Sequence, residues 1–118
     1  MRRRMLKSKI HRATVTDCNL NYVGSISVDE QLLEAADILP FEQVAVVNIN
    51  TGARFETYAM ADSAGSGSMR LNGAAARLAE QGDKIIVFSY AEYAPEELAG
   101  FTPRVVLVNG ANRTTTEG

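Results

Sequence analysis

The sequence predicts a mainly β domain, a small barrel or sandwich carrying short helices. Five stretches, residues 13–18, 44–50, 55–61, 84–90 and 104–109, are short and rich in Val, Ile, Thr, Tyr and Phe, the residues that fit a pleated, half-buried surface. Turn-forming residues separate them. With 118 residues the chain is sized for one core, which at this length buries roughly two-thirds of the surface of the unfolded form.

Taken in order, the basic opening MRRRMLKSKIHR reads as a solvated charge run leading into the first strand. Asp29 is placed to cap a helix over residues 30–36, with Leu32, Leu33 and Ala36 on one face and Pro40 ending it. Gly65-Ser66-Gly67-Ser68 reads as a hairpin turn, because the Lys-Ser/Thr that completes a phosphate-binding loop is missing. A second helix is expected from Gly73 through Glu80, Ala-rich and stopped by Gly82. Pro95 to Leu98 should form one more helical turn. The polar tail 110–118 is expected to fray. No repeat and no linker divides the chain, so residues 1–118 read as a single domain.

Composition excludes several classes of function. A formal net charge of -2 lacks the basic balance that attracts phosphate backbones, so no nucleic acid partner is expected. No apolar run approaches the roughly 18 residues of a membrane-spanning helix, so no membrane association is expected, and no secretory pattern follows the basic opening. A cytoplasmic location is the expectation. Cys18 and His11 are the single cysteine and histidine. Neither an internal disulfide nor a conventional metal site can be built from them. His11 has no patterned serine partner for a nucleophile relay.

With few conventional catalytic groups, an electrophile must come from the chain itself. Gly24-Ser25 offers one route. A serine hydroxyl can attack the preceding carbonyl carbon, shift the acyl group from nitrogen to oxygen and, after elimination, break the chain. Glycine before it would hold backbone angles that other residues avoid and leave the carbonyl accessible. Alone, a Gly-Ser pair is most often a turn.

Its context is more specific. The segments Lys9-Ile10-His11-Arg12-Ala13-Thr14-Val15-Thr16 and Asn21-Tyr22-Val23-Gly24-Ser25-Ile26 resemble the opening of bacterial aspartate 1-decarboxylases. Asn50-Thr51-Gly52-Ala53-Arg54-Phe55-Glu56-Thr57-Tyr58-Ala59 resembles the family's substrate-binding strand, and Leu71-Asn72-Gly73-Ala74-Ala75-Ala76-Arg77 its Asn-Gly-Ala-Ala motif. Gly82-Asp83-Lys84-Ile85-Ile86 and Ser89-Tyr90-Ala91 extend the likeness, which covers about residues 1–109. Thr51, Ala64 and Cys18 depart from the family's usual residues without removing a catalytic candidate.

The resemblance implies a small double-psi β-barrel, a homotetramer with active sites between neighbouring subunits, and self-cleavage into residues 1–24 and 25–118. It implies a pyruvoyl group made from Ser25, needing neither pyridoxal phosphate nor metal, that takes L-aspartate as a Schiff base and releases β-alanine for pantothenate and coenzyme A synthesis. Tyr58 is then the proton donor. Arg54 offers a planar two-point anchor for the retained carboxylate, and Lys9 a second cation. Gly73, Ala74 and Ala75 present N–H groups at a helix start, and Asn72 either caps that helix or contacts the ligand. Thr57 is expected to donate to the Gly24 carbonyl during cleavage, and also to line the substrate site. Thr57 and Tyr58 are adjacent and face opposite ways on a regular strand, so irregular backbone near them, or two subunits sharing the site, is expected. No motif identifies a maturation factor. Two rival readings remain at this stage: an unprocessed barrel relative that binds a small acid without turnover, and a DNA-binding barrel, which the acidic balance disfavours.

Overall fold

The computed structural model describes residues 1–116. Eight strands curl around one hydrophobic core as a small β-barrel: β1 (Arg3–Thr14), β2 (Asp17–Asn19), β3 (Ser25–Asp29), β4 (Gln43–Asn48), β5 (Arg54–Asp62), β6 (Met69–Asn72), β7 (Lys84–Tyr93) and β8 (Arg104–Leu107). Their order in the sheet is β2-β6-β3-β5-β4-β7-β1-β8. Three parallel pairs (β1 with β8, β2 with β6, β3 with β5) stand among four antiparallel ones, which a simple up-and-down meander cannot produce. This mixed pairing agrees with the double-psi barrel.

Alternation sets the two faces. Ile10, Val87, Val46 and Phe55 form an inward row across β1, β7, β4 and β5, and Ile26 and Leu71 continue the core on β3 and β6. The next row, Lys9, Phe88, Ala45 and Glu56, faces outward. The basic opening is therefore most of a twelve-residue strand rather than a solvated run. Its period-two pattern is masked by Arg and Lys at the outward positions.

Several local expectations are corrected. The helix α1 (Glu30–Ala36) is capped by Asp29 as expected, with Leu32, Leu33 and Ala36 buried, but Asp37 in the left-handed conformation ends it, before Pro40 is reached. The Ala-rich segment is a six-residue 3-10 turn, Gly73–Leu78, not an α-helix to Glu80, and Gly82 does not cap it. Burial of Gly73 and Ala76 against the barrel holds it in that short form. Pro95–Glu97 forms the expected single turn, with Glu97 accepting the Ala94 N–H at 2.7 Å.

Gly65 to Ser68 is not a hairpin turn, because β3 lies between β5 and β6. The N–H groups of Gly65 and Gly67 instead donate to the buried Asp29 carboxylate, at 3.0 and 2.8 Å. The loop does cradle an anion, one supplied by its own chain. The tail does not fray over residues 110–115. Val108 bridges Thr114, and the buried Asn112 donates to the carbonyls of Thr14 and Gly67 while accepting the Thr14 N–H. Residues 117–118 of the expected frayed tail lie outside the described residues.

Candidate active site

The start of β3 places Ser25 directly opposite Asn72 on β6. Asn72 Nδ2 donates to Ser25 Oγ at 3.1 Å and to Ser27 Oγ at 2.9 Å. Ser25 is 2% exposed and Asn72 is fully buried. The Ser25 hydroxyl reaches back toward the Val23 carbonyl at 3.5 Å, across the peptide that precedes it. Asn72 makes no side-chain cap bond, so its role as a helix cap is ruled out in favour of the contact with residue 25. Its Oδ1 is buried without a partner among the described residues, an acceptor standing open beside Ser25.

Gly73, not Gly24, is the glycine the backbone requires. Gly73 has φ +65°, and a Cβ there would lie 2.7 Å from Gly24 Cα and 3.1 Å from the Tyr22 carbonyl oxygen. Gly24 has no positive φ, and a Cβ on it would meet only the Asn72 carbonyl oxygen at 3.9 Å. The expectation that Gly24 holds angles forbidden to other residues is thus corrected; its peptide is exposed, with Tyr22 and Val23 on the surface beside it. Ala74 is exposed and Ala75 half-buried. A six-residue 3-10 turn sums few peptide dipoles, so any anion docking here depends on the unpaired N–H groups of its first residues.

The remaining candidates lie on β1 and β5. Arg54 and Tyr58 share the outward face of β5 with Glu56, and Lys9 joins that face from β1, three strands away in the row through Phe88 and Ala45. Neither the Arg54 nor the Lys9 side chain makes a hydrogen bond or ion pair with a described residue, which leaves both cations free for an anionic ligand. Thr57 is on the inward face opposite Val44, and its hydroxyl has no hydrogen bond within the described residues. The ladder is unbroken at Val44–Thr57 and Gln43–Tyr58. The expected irregularity lies one step further on, where Phe41 and Glu42 both face Ala59.

The parallel register of β3 with β5 begins at Ile26–Ala59. Extended back along both strands, that register would bring Ser25 level with Tyr58 after one residue and Gly24 level with Thr57 after two. Lys9 stands on β1, four strands from β3 in the sheet order. His11, set aside in the sequence, lies beside Lys9. Burial, Lys9 and Arg12 push its imidazole below the usual value, and its Nδ1 is buried without a partner among the described residues. Sequence reasoning missed Ser27 and the Asn72 fork; the alternation in Ser25-Ile26-Ser27-Val28 was the available signal for a strand with a polar face.

A family model described as aspartate decarboxylase matches residues 1–115. The aspartate 1-decarboxylase of Syntrophobacter fumaroxidans is 57% identical over 118 residues, 100% of this chain and 95% of that protein. That of Pelotomaculum thermopropionicum is 61% identical over 109 residues, covering 92% and 83% of the two chains. That of Thermoanaerobacter pseudethanolicus is 57% identical over 113 residues, covering 96% and 97%.

Proposed function

The chain belongs to the aspartate decarboxylase family, and on that premise we propose that it converts L-aspartate to β-alanine and carbon dioxide with a pyruvoyl group made from its own Ser25. The carrying observation is the buried Ser25 hydroxyl, which accepts from Asn72 and reaches back past Gly24 to the Val23 carbonyl. Attack of Ser25 Oγ on the Gly24 carbonyl carbon forms an ester as the amide C–N bond breaks. Elimination then breaks the Cβ–Oγ bond, and the fragment ending at Gly24 leaves with the serine oxygen in its carboxylate. Addition of water and loss of ammonia leave a ketone on residue 25.

The surroundings suit that group. Gly73 keeps the space beside residue 24 free of a side chain, and Asn72 offers both a donor and an unpartnered acceptor at residue 25. The pyruvoyl ketone supplies the electron sink as the α-carboxylate leaves, in place of pyridoxal phosphate. Arg54 grips the retained side-chain carboxylate through its planar fork, Lys9 steadies the ligand, and the N–H groups of Gly73, Ala74 and Ala75 line the anion's path. Tyr58 delivers a proton to the α-carbon. Thr57 supports the developing oxyanion of Gly24 during cleavage. The site is completed between subunits of a cytoplasmic homotetramer whose product enters pantothenate synthesis, as the family resemblance implies.

Denaturing mass spectrometry tests the first step. A 24-residue fragment ending in Gly24 and a 94-residue remainder (118 − 24 = 94) are expected, and borohydride with aspartate should fix substrate to the larger one. Under native conditions the two stay together, because the small fragment contributes β1 and core residues Ile10, Ala13 and Val15. Pyridoxal phosphate should leave turnover unchanged. Intact chain with unmodified serine after long incubation would favour a binding protein without turnover, and substrate fixed to a lysine would overturn the assignment.

A further inference from the structure

Phe41 occupies a backbone position built for glycine. Leu39-Pro40-Phe41-Glu42 is a turn closed by the Glu42 N–H on the Leu39 carbonyl at 3.1 Å, with Phe41 third and at φ +70°. That is the place where Gly or Asn is favoured. The Phe41 N–H donates to the Ala59 carbonyl at 2.7 Å, and the Ala59 N–H to the Glu42 carbonyl at 2.9 Å. Two residues thus oppose one, a β-bulge whose first residue is left-handed and usually Gly. An aromatic residue there is a conformational outlier.

Its surroundings over-determine the strain. Glu42 accepts the Leu39 N–H at 3.1 Å, accepts the Ser89 hydroxyl, and pairs with Lys7 at 3.2 Å, so the bend is pinned on three sides. Burial does not explain the phenyl group, because Phe41 is 74% exposed. What it meets is Tyr58: the rings stack with centroids 6.3 Å apart and planes 18° from parallel. This offset geometry falls within the range of favourable ring pairs. The bulge at Ala59 immediately follows Tyr58 on β5 and turns the Phe41 ring onto it.

We propose that Phe41 is a positioning residue for Tyr58: the strained turn presents its ring against the tyrosine ring and so fixes the phenol hydroxyl for proton delivery. The inference rests on the reading of Tyr58 as donor and adds to it the residue that aims it. Substrate binding uses Arg54 and Lys9 on other strand positions, so loss of the Phe41 ring should lower kcat and spare KM. Self-cleavage, which uses no proton from Tyr58, should be unaffected.

The test is Phe41→Asn in the processed enzyme. Asparagine tolerates a left-handed conformation, so the turn persists while the ring is lost. Cleavage should be complete, the melting temperature no lower than in the parent and the oligomer size unchanged. kcat should fall about tenfold, with KM within about twofold, as expected for a displaced catalytic group. Phe41→Tyr should restore kcat. In a Tyr58→Phe background, Phe41→Asn should cause no further loss. Should Phe41→Asn fail to fold, Phe41→Leu provides the same comparison. Parental kcat in the ring-less variant, an equal loss in the Tyr58→Phe background, or loss of assembly alongside kcat would each overturn the proposal. Full kcat in a processed Tyr58→Phe enzyme would overturn the donor reading and this inference with it, whereas low kcat there beside parental kcat in Phe41→Asn sinks the inference alone.

Discussion

Gly73 and Gly24 approach so closely that a Cβ on Gly73 would stand 2.7 Å from Gly24 Cα and 2.9 Å from Gly24 N. Those neighbours are backbone, so nothing flexible can yield. Gly73→Ala also places an L side chain at φ +65°. The expected result is a displaced 22–24 segment and an accumulating 118-residue precursor, with cleavage slowed by about a hundredfold, as a misplacement near 1 Å can cause. Gel analysis over time checks this, and normal cleavage would show that the segment need not be held against Gly73.

Arg54→Lys keeps the charge but loses the planar two-point contact. Since the Arg54 side chain makes no hydrogen bond or ion pair with a described residue, the fold should be indifferent to the change and cleavage should proceed. KM for aspartate should rise by about tenfold or more, the worth of one charge-assisted hydrogen bond. Unchanged kinetics in a processed variant would remove Arg54 as the main anchor.

Thr57 and Tyr58 face opposite sides of an unbroken ladder, so maturation and turnover should separate. Thr57→Val keeps the β-branched shape without the hydroxyl and should slow cleavage, by roughly 3 kcal/mol if the donor is well aligned in the transition state. Tyr58→Phe should cleave normally yet turn over at least about a hundredfold more slowly. Uncut Tyr58→Phe beside normally cut Thr57→Val would reverse the two roles.

Acid should loosen the barrel through Asp29. Burial pushes this carboxyl up, but N–H donors from Gly67, Gln31 and Gly65, with Arg113, outweigh burial and hold it below its ordinary 3.8. A depressed carboxyl contributes stability that is present above the ordinary value and is lost as pH falls through the lower folded value. The melting temperature should therefore drop below about pH 4. Asp29→Asn should cost about 2 kcal/mol at neutral pH, by stranding buried N–H donors, and flatten the acid-side slope. Equal slopes in parent and variant would assign acid sensitivity to Glu42, Asp62 and Asp83, which are also held low.

By itself the sequence determined the β class, the Asp29-capped helix with Leu32, Leu33 and Ala36 inward, and the family to which the Gly24-Ser25 context belongs. These depend on local composition, side-chain chemistry and short-range spacing, which a linear reading can see. It did not determine β3 and β6, where a four-residue alternation is too short to stand out and the strands form by pairing with each other and with β5 and β2. Tertiary structure decided that Asn72 grips Ser25 rather than capping a helix, that Gly73 rather than Gly24 is the obligate glycine, and that residues 65–68 wrap Asp29 rather than turn a hairpin. It also decided that Phe41, an ordinary aromatic in a linear reading, stands at a left-handed bulge against Tyr58. In each case the deciding partner is remote along the chain or the decisive angle is imposed by a non-local hydrogen bond, and local propensity yields to such contacts when burial and backbone pairing outweigh it.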